Sequence, residues 1–175
     1  MIYDFKKTTP QIGKNVFMAK SADVIGDVKI GDDSSIWFKT VIRGDVHNIR
    51  IGERTSIQDG SIIHVTHYKL DDKSDGYPTI IGDDVTVGHG VILHGCTIEN
   101  ACLIGMGAVI LDGANIGKES IVGAGSLVTQ GKSFPARSLI IGSPARAVRT
   151  LNNEEVKELY ASAARYVKFK DEYLK

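Results

Sequence analysis

Five histidines give this chain its chemical possibilities: His47, His64, His67, His89 and His94. Three imidazoles that share an ion and leave a fourth position open are what a catalytic zinc requires. Such an ion lowers the pKa of its water to about 7, which provides hydroxide at neutral pH. Around the histidines stand other groups that could assist: Arg43 and Asp45 in Arg-Gly-Asp, and Gln58 and Asp59 in Gln-Asp-Gly. A single histidine is more often a surface or hydrogen-bonded residue than a ligand. Which of the five can meet depends on the elements that carry them.

Those elements are announced by a repeat of six. Ile12, Met18, Val24, Ile30, Ile36 and Ile42 share one phase. After a three-residue insertion the phase resumes at Ile51, Ile57 and Ile63, and after a polar excursion at Ile81, Val87 and Leu93. A five-residue step leads to Ile98, and Ile104, Ile110, Ile116, Val122, Val128, Phe134 and Ile140 follow without a break. Six matches neither the helical nor the alternating-strand period. It matches a three-faced prism in which each face sends one aliphatic side chain into the shaft and each coil buries its faces on the next. Each buried Ile or Val contributes about 1.5–3 kcal/mol. Glycine is frequent (19 in all, many directly after the aliphatic residue), and Gly, Asn and Asp are expected at the corners, where positive φ is easiest. The spacing therefore predicts an all-β domain over residues 1–151, a parallel β-helix. A helix is predicted to pack outside it over 153–174, within a terminal unit 152–175. Asn152 is its cap, with Glu155 three residues on, and Val156, Leu159, Tyr160, Ala163, Val167, Tyr173 and Leu174 form a partial apolar stripe. Pro144 marks the exit from the last coil.

The prism sorts the histidines. Let the faces holding Ile51, Ile57 and Ile63 be A, B and C, and let 65–79 loop out. His64 and His94 then follow Ile63 and Leu93 at one corner, about 4.8 Å apart along the shaft. Arg43, after Ile42, extends that ladder. His89 falls two residues after Val87 on face B, one coil from Asp59. One prism thus displays two ligands together and the third elsewhere. A neighbouring prism could supply the missing imidazole, and a three-fold homotrimer would make three such sites.

Arg43-Gly44-Asp45, Gln58-Asp59-Gly60 with His64 following, and Gly88-His89-Gly90-Val91-Ile92-Leu93-His94-Gly95 resemble the gamma-class carbonic anhydrase family over nearly the whole chain. That resemblance implies the left hand of the coil. It implies that His64 and His94 of one subunit and His89 of the next bind zinc, with iron or cobalt as alternatives, at trimer interfaces. The implied activity is a lyase reaction, the reversible hydration of carbon dioxide to bicarbonate by zinc-bound hydroxide. Gln58 would hydrogen-bond the hydroxide and Asp59 would orient it or bicarbonate. Arg43 and Asp45 would form interfacial ion pairs holding Asp59 and the trimer. Two glutamates of active members are replaced, one by Val46 and the proton-shuttling one by His67. His67 is a candidate shuttle; His47 matches no ligand position and is expected at the surface. Tyr160, Tyr166 and Tyr173 are candidates to reach the site from the terminal helix. The departures keep other readings in play: a hexapeptide acyltransferase or thioesterase-like enzyme, or a non-catalytic, metal-stabilised assembly subunit.

Composition sets outer limits. Lys+Arg and Asp+Glu are both 21, so no global field draws in nucleic acid or an anionic membrane. No apolar run is long enough to span a bilayer. The N-terminus lacks an apolar signal region, which makes the cytoplasm the expected compartment. Cys96 and Cys102 are expected as core fillers.

Overall fold

The computed structural model describes residues 1–70 and 74–175 and shows a solenoid of parallel coils with one helix laid against it. The aliphatic phase becomes three columns of side chains. Face A stacks Ile12, Ile30, Ile51, Ile81, Ile98, Ile116 and Phe134. Face B stacks Met18, Ile36, Ile57, Val87, Ile104, Val122 and Ile140. Face C stacks Val24, Ile42, Ile63, Leu93, Ile110 and Val128. Nearly all of these are buried in one continuous core. Cys96 and Cys102 are free and buried, and burial pushes both thiols up to about 12. The polar excursion leaves the prism between Ile62–His64 and Thr79–Ile81, as expected for 65–79, although positions 71–73 of that loop lie outside the described residues.

Positive φ falls on Gly, Asn and Asp at the corners as expected, with Gly60, Gly90, Gly107 and Gly125 between faces B and C, but the glycines directly after the aliphatic residues do a different job. They do not carry the positive φ of the corner between faces A and B. That conformation belongs to Asn15, Asp33, Arg54, Asp84, Ala101, Glu119 and Arg137, with φ between 52° and 60°. Gly31 instead keeps neighbouring coils close: a Cβ there would lie 2.6 Å from the carbonyl carbon of Gly52. The left-handed conformation costs an L-residue roughly 1–2 kcal/mol. Backbone bonds between coils offset it, such as Arg54 N–H to Asp32 O and Asp84 N–H to Glu53 O, both 2.9 Å. Side chains along the corner add ion pairs. Arg54 forks onto Asp84 at 2.7 and 3.0 Å, and Arg137 donates to Glu119 at 2.7 Å.

The three outer faces differ, and the difference matters for the site. The helix Asn153–Leu174 covers face B: Leu151, Val156 and Leu159 pack on Leu103, Ile121 and Leu139. Its capping box is complete, with Asn152 Oδ1 accepting from Glu155 N–H and Glu155 Oε2 accepting from Asn152 N–H, each at 2.9 Å. Tyr160, Tyr173 and Leu174, expected on the apolar stripe, are exposed. Lys170 instead is fully buried, its Nζ on Asp171 at 2.6 Å and Asp33 at 3.4 Å. The outward side chains of face A are largely polar, including Gln11, Lys29, Arg50, Thr97, Asn115 and Ser133. Face C is apolar and uncovered: Val41, Ile62, Ile92, Val109 and Leu127 form one column, with Ile62 45% and Ile92 37% exposed. The chain leaves the last coil differently from a simple exit at Pro144. Ser138–Gly142 and Ala145–Thr150 form an antiparallel pair across it.

Candidate metal centre

The three-residue insertion between Ile42 and Ile51 is a large bulge in the strand Val41–Ile51. Gly44 pairs with Gly26 and Ile49 with Val28, so residues 45–48 all stand opposite Asp27. The bulge carries Asp45 to the corner of His64 and His94. There Asp45 Oδ1 takes His64 Nε2 at 3.1 Å, while Oδ2 takes Arg43 Nη1. Burial works to raise the Asp45 pKa, but the hydrogen bonds from Arg43 and His64 outweigh it and hold the carboxyl below the usual range. The His64 imidazole is shifted downward. Burial is the main cause, assisted by Arg43 and opposed by Asp45, so the ring is neutral at neutral pH.

His64 and His94 are register partners on adjacent coils, as the phase requires. His94 Nδ1 lies 2.6 Å from Asp112 Oδ1, and Asp112 Oδ2 accepts from the Thr66 hydroxyl at 2.7 Å. The two carboxylates thus claim the N–H of each ring and fix the tautomers. The nitrogens left over, His64 Nδ1 and His94 Nε2, face each other at 3.1 Å with a lone pair each. Two lone pairs so placed repel unless a cation lies between them. Their separation is near the roughly 3.3 Å between two nitrogens on a tetrahedral zinc with 2.0–2.1 Å bonds. The donor set therefore fits a metal ion.

His89 sits apart, at the corner between faces B and C, with its side chain 56% exposed. Its Nδ1 is 2.9 Å from Asp59 Oδ2, one coil away. Among the described residues no three His, Cys, Asp or Glu side chains converge on one point of a single chain. Each of the three histidines nevertheless has one nitrogen on a carboxylate, His64 with Asp45, His94 with Asp112 and His89 with Asp59, and the second nitrogen of each meets no carboxylate among the described residues. Gln58, Asp59 and His89 line one pocket of about 400 Å³ with Trp37, Tyr166 and Tyr173. Tyr166 and Tyr173 are thus the helix tyrosines that reach this region, while Tyr160 donates to Glu119 at 3.1 Å. Within one chain Arg43 and Asp45 hold each other and His64, and Asp59 lies against His89. His67 is exposed on the excursion. His47, expected at the surface, is buried at 5% exposure.

Asp112 escaped the sequence reading. Its signal was present: it lies two residues after Ile110, on the coil that follows Leu93 and His94, at the same corner.

Comparison with known proteins agrees with this anatomy. The family model for bacterial transferase hexapeptide (six repeats) matches residues 95–130. Protein YrdA of Escherichia coli is 55% identical over 170 residues, covering 97% of this chain and 92% of the relative. A probable carbonic anhydrase of Methanocaldococcus jannaschii is 56% identical over 160 residues, covering 91% and 96%. The crystal structure of a Bacillus cereus protein, provisionally described as an acetyltransferase, superposes with a TM-score of 0.92 at 46% identity, covering 99% of this chain and 96% of that one.

Proposed function

Given that the chain belongs to the gamma-class carbonic anhydrase family, left-handed β-helices of hexapeptide repeats, we propose that it catalyses the reversible hydration of carbon dioxide to bicarbonate and a proton. The observation that carries this reading is the set of three histidine–carboxylate pairs, each leaving one imidazole nitrogen without a carboxylate partner among the described residues. In this proposal His64 and His94 of one subunit and His89 of the next hold a zinc, iron or cobalt ion, all of which suit imidazole. When bound, the ion supplies the Lewis acidity that makes hydroxide available near neutral pH.

The chain's own residues do the rest. Asp45, Asp112 and Asp59 orient the three rings, and Arg43 holds Asp45. Gln58, in the pocket with His89, offers both a donor and an acceptor, which lets it steer a hydroxide and then bicarbonate. Trp37, Tyr166 and Tyr173 wall that pocket with apolar surface suited to an uncharged substrate.

Face C supports the trimer. Of the three faces, one is covered by the helix and one is polar; the apolar third has His64 and His94 at one edge and His89 at the other. A cyclic assembly joins unlike edges of neighbouring copies, which would bring the two parts of the site together. Metal analysis, native mass and stopped-flow hydration of the zinc- and iron-loaded protein test the reading. We expect a trimer with one ion per chain and hydration above the buffer rate. A monomer without metal, or no rate in either form, rejects it.

The likeness to the Bacillus cereus protein favours acyl transfer as a second reading. Turnover of acyl-coenzyme A that survives a chelator would select it.

A further inference from the structure

The bulge that delivers Asp45 to His64 also buries His47 in a place the proposed hydration chemistry does not use. His47 Nδ1 accepts the backbone N–H of Asn48 at 2.8 Å, with the Asn48 carboxamide nitrogen at 3.0 Å. An accepting Nδ1 leaves the proton of the neutral ring on Nε2. That Nε2 is buried and has no hydrogen-bond partner among the described residues. The Tyr68 ring closes one side, edge-on at 5.4 Å between centroids. A buried donor without an acceptor is costly and calls for an occupant that supplies one.

His47 lines a pocket of about 190 Å³ between the bulge and the N-terminal segment, together with Lys6, Thr8, Asp27, Asp45 and Tyr68. Two carboxylates and one ammonium line it, and both carboxylates are already engaged. Asp27 is paired with Arg50 at 2.8 Å, and Asp45 is shared by Arg43 and His64. Among the described residues the Lys6 ammonium pairs with no carboxylate and lies 5.3 Å from the centroid of the Phe5 ring. Among the described residues the pocket therefore combines an ammonium that no carboxylate pairs with and a buried N–H donor that has no acceptor.

We propose that this pocket binds a small oxyanion, which accepts from His47 Nε2 and pairs with Lys6. Asp45 is a wall common to this pocket and to the His64 corner, so the anion lies one carboxylate away from the candidate metal ligands. The oxyanion class follows from the donors alone. Its identification as bicarbonate, waiting beside the centre that makes or consumes it, rests on the hydration reading.

Imidazole ¹⁵N NMR of the purified native assembly tests this, with His47→Phe assigning the signal. Bicarbonate and phosphate should each shift the His47 Nε2 resonance saturably, and chloride at matched ionic strength should not. Lys6→Met, distant from the core, should weaken the apparent affinity roughly tenfold, as loss of a charge-assisted contact does. It also keeps the test decisive if His47→Phe fails to fold. A response that does not saturate, one that chloride reproduces, or one unchanged in Lys6→Met overturns the site. So does a crystal structure in which a second copy of the chain, or water only, satisfies Nε2 at high bicarbonate. Hydration is assayed separately. Saturable binding without hydration would sink the enzyme reading and leave the oxyanion site standing; hydration with a silent His47 would do the reverse.

Discussion

At the scale of single residues, the carboxylates behind the imidazoles should matter almost as much as the imidazoles. Asp112 holds His94 through one oxygen and is held by Thr66 through the other. Removing such a partner typically costs 10–100-fold in metal affinity. Asp112→Asn should therefore lower zinc affinity by about that factor in a competition titration, with the trimer intact. Unchanged affinity would mean that Asp112 is only a rung of the corner. The sequence exposed the histidines because the aliphatic phase fixes which corner each side chain occupies. It hid Asp112 because an acidic residue at a turn is ordinary until its neighbour one coil away is known. It hid the burial of His47 for a related reason. A bulge breaks the phase, and inside it no period says which side chains turn inward.

Among the elements, the helix cap gives the clearest pH dependence. Arg149 and the Asn152 backbone N–H hold Glu155 down to about 2, below its ordinary 4.5. A depressed carboxylate stabilises the fold fully above its unfolded pKa. The contribution is lost as pH falls from about 4.5 through about 2. Glu155→Gln should flatten the acid limb of a thermal-melting series over that window while changing its shape little above pH 6. An unaltered acid limb would show that the cap does not couple to the fold. Asn152→Ala should cost about 1 kcal/mol of stability in denaturant melts. Asn152 and Glu155 were legible because a capping box is a local pattern. The left-handed corner at Arg54, Glu119 and Arg137 was not, because nothing in those residue types favours positive φ; bonds from the adjacent coil impose it. At the neighbouring column the constraint is space. Gly31→Ala should destabilise by about 1–3 kcal/mol, as overpacking does, since the added methyl meets the backbone of Gly52.

For the whole molecule, the three unlike faces make the assembly testable. A charge on the bare face should separate the copies: Ile92→Arg is expected to lower native mass to that of a monomer and to abolish metal binding, while the far-ultraviolet dichroism of the coil persists. A stable trimer in that variant would place the contact elsewhere. His89→Ala should instead lose metal and keep the trimer, because the apolar column Ile62 and Ile92 does not depend on it. Loss of both would make the ion structural. The triangular coil was readable from spacing alone, because each buried aliphatic reports its own face. Which face is bare was not, since a strand's outward residues say little until the helix has chosen where to lie.

The antiparallel return of Ala145–Thr150 along Ser138–Gly142 has a consequence for growth. A stack of parallel rungs would otherwise end in a template that any similar chain could extend, rung upon rung, toward a fibre. A strand running backwards occupies the final edge of that wall and presents the wrong polarity to a newcomer. Parallel extension along that wall therefore stops at the molecule's own last strand.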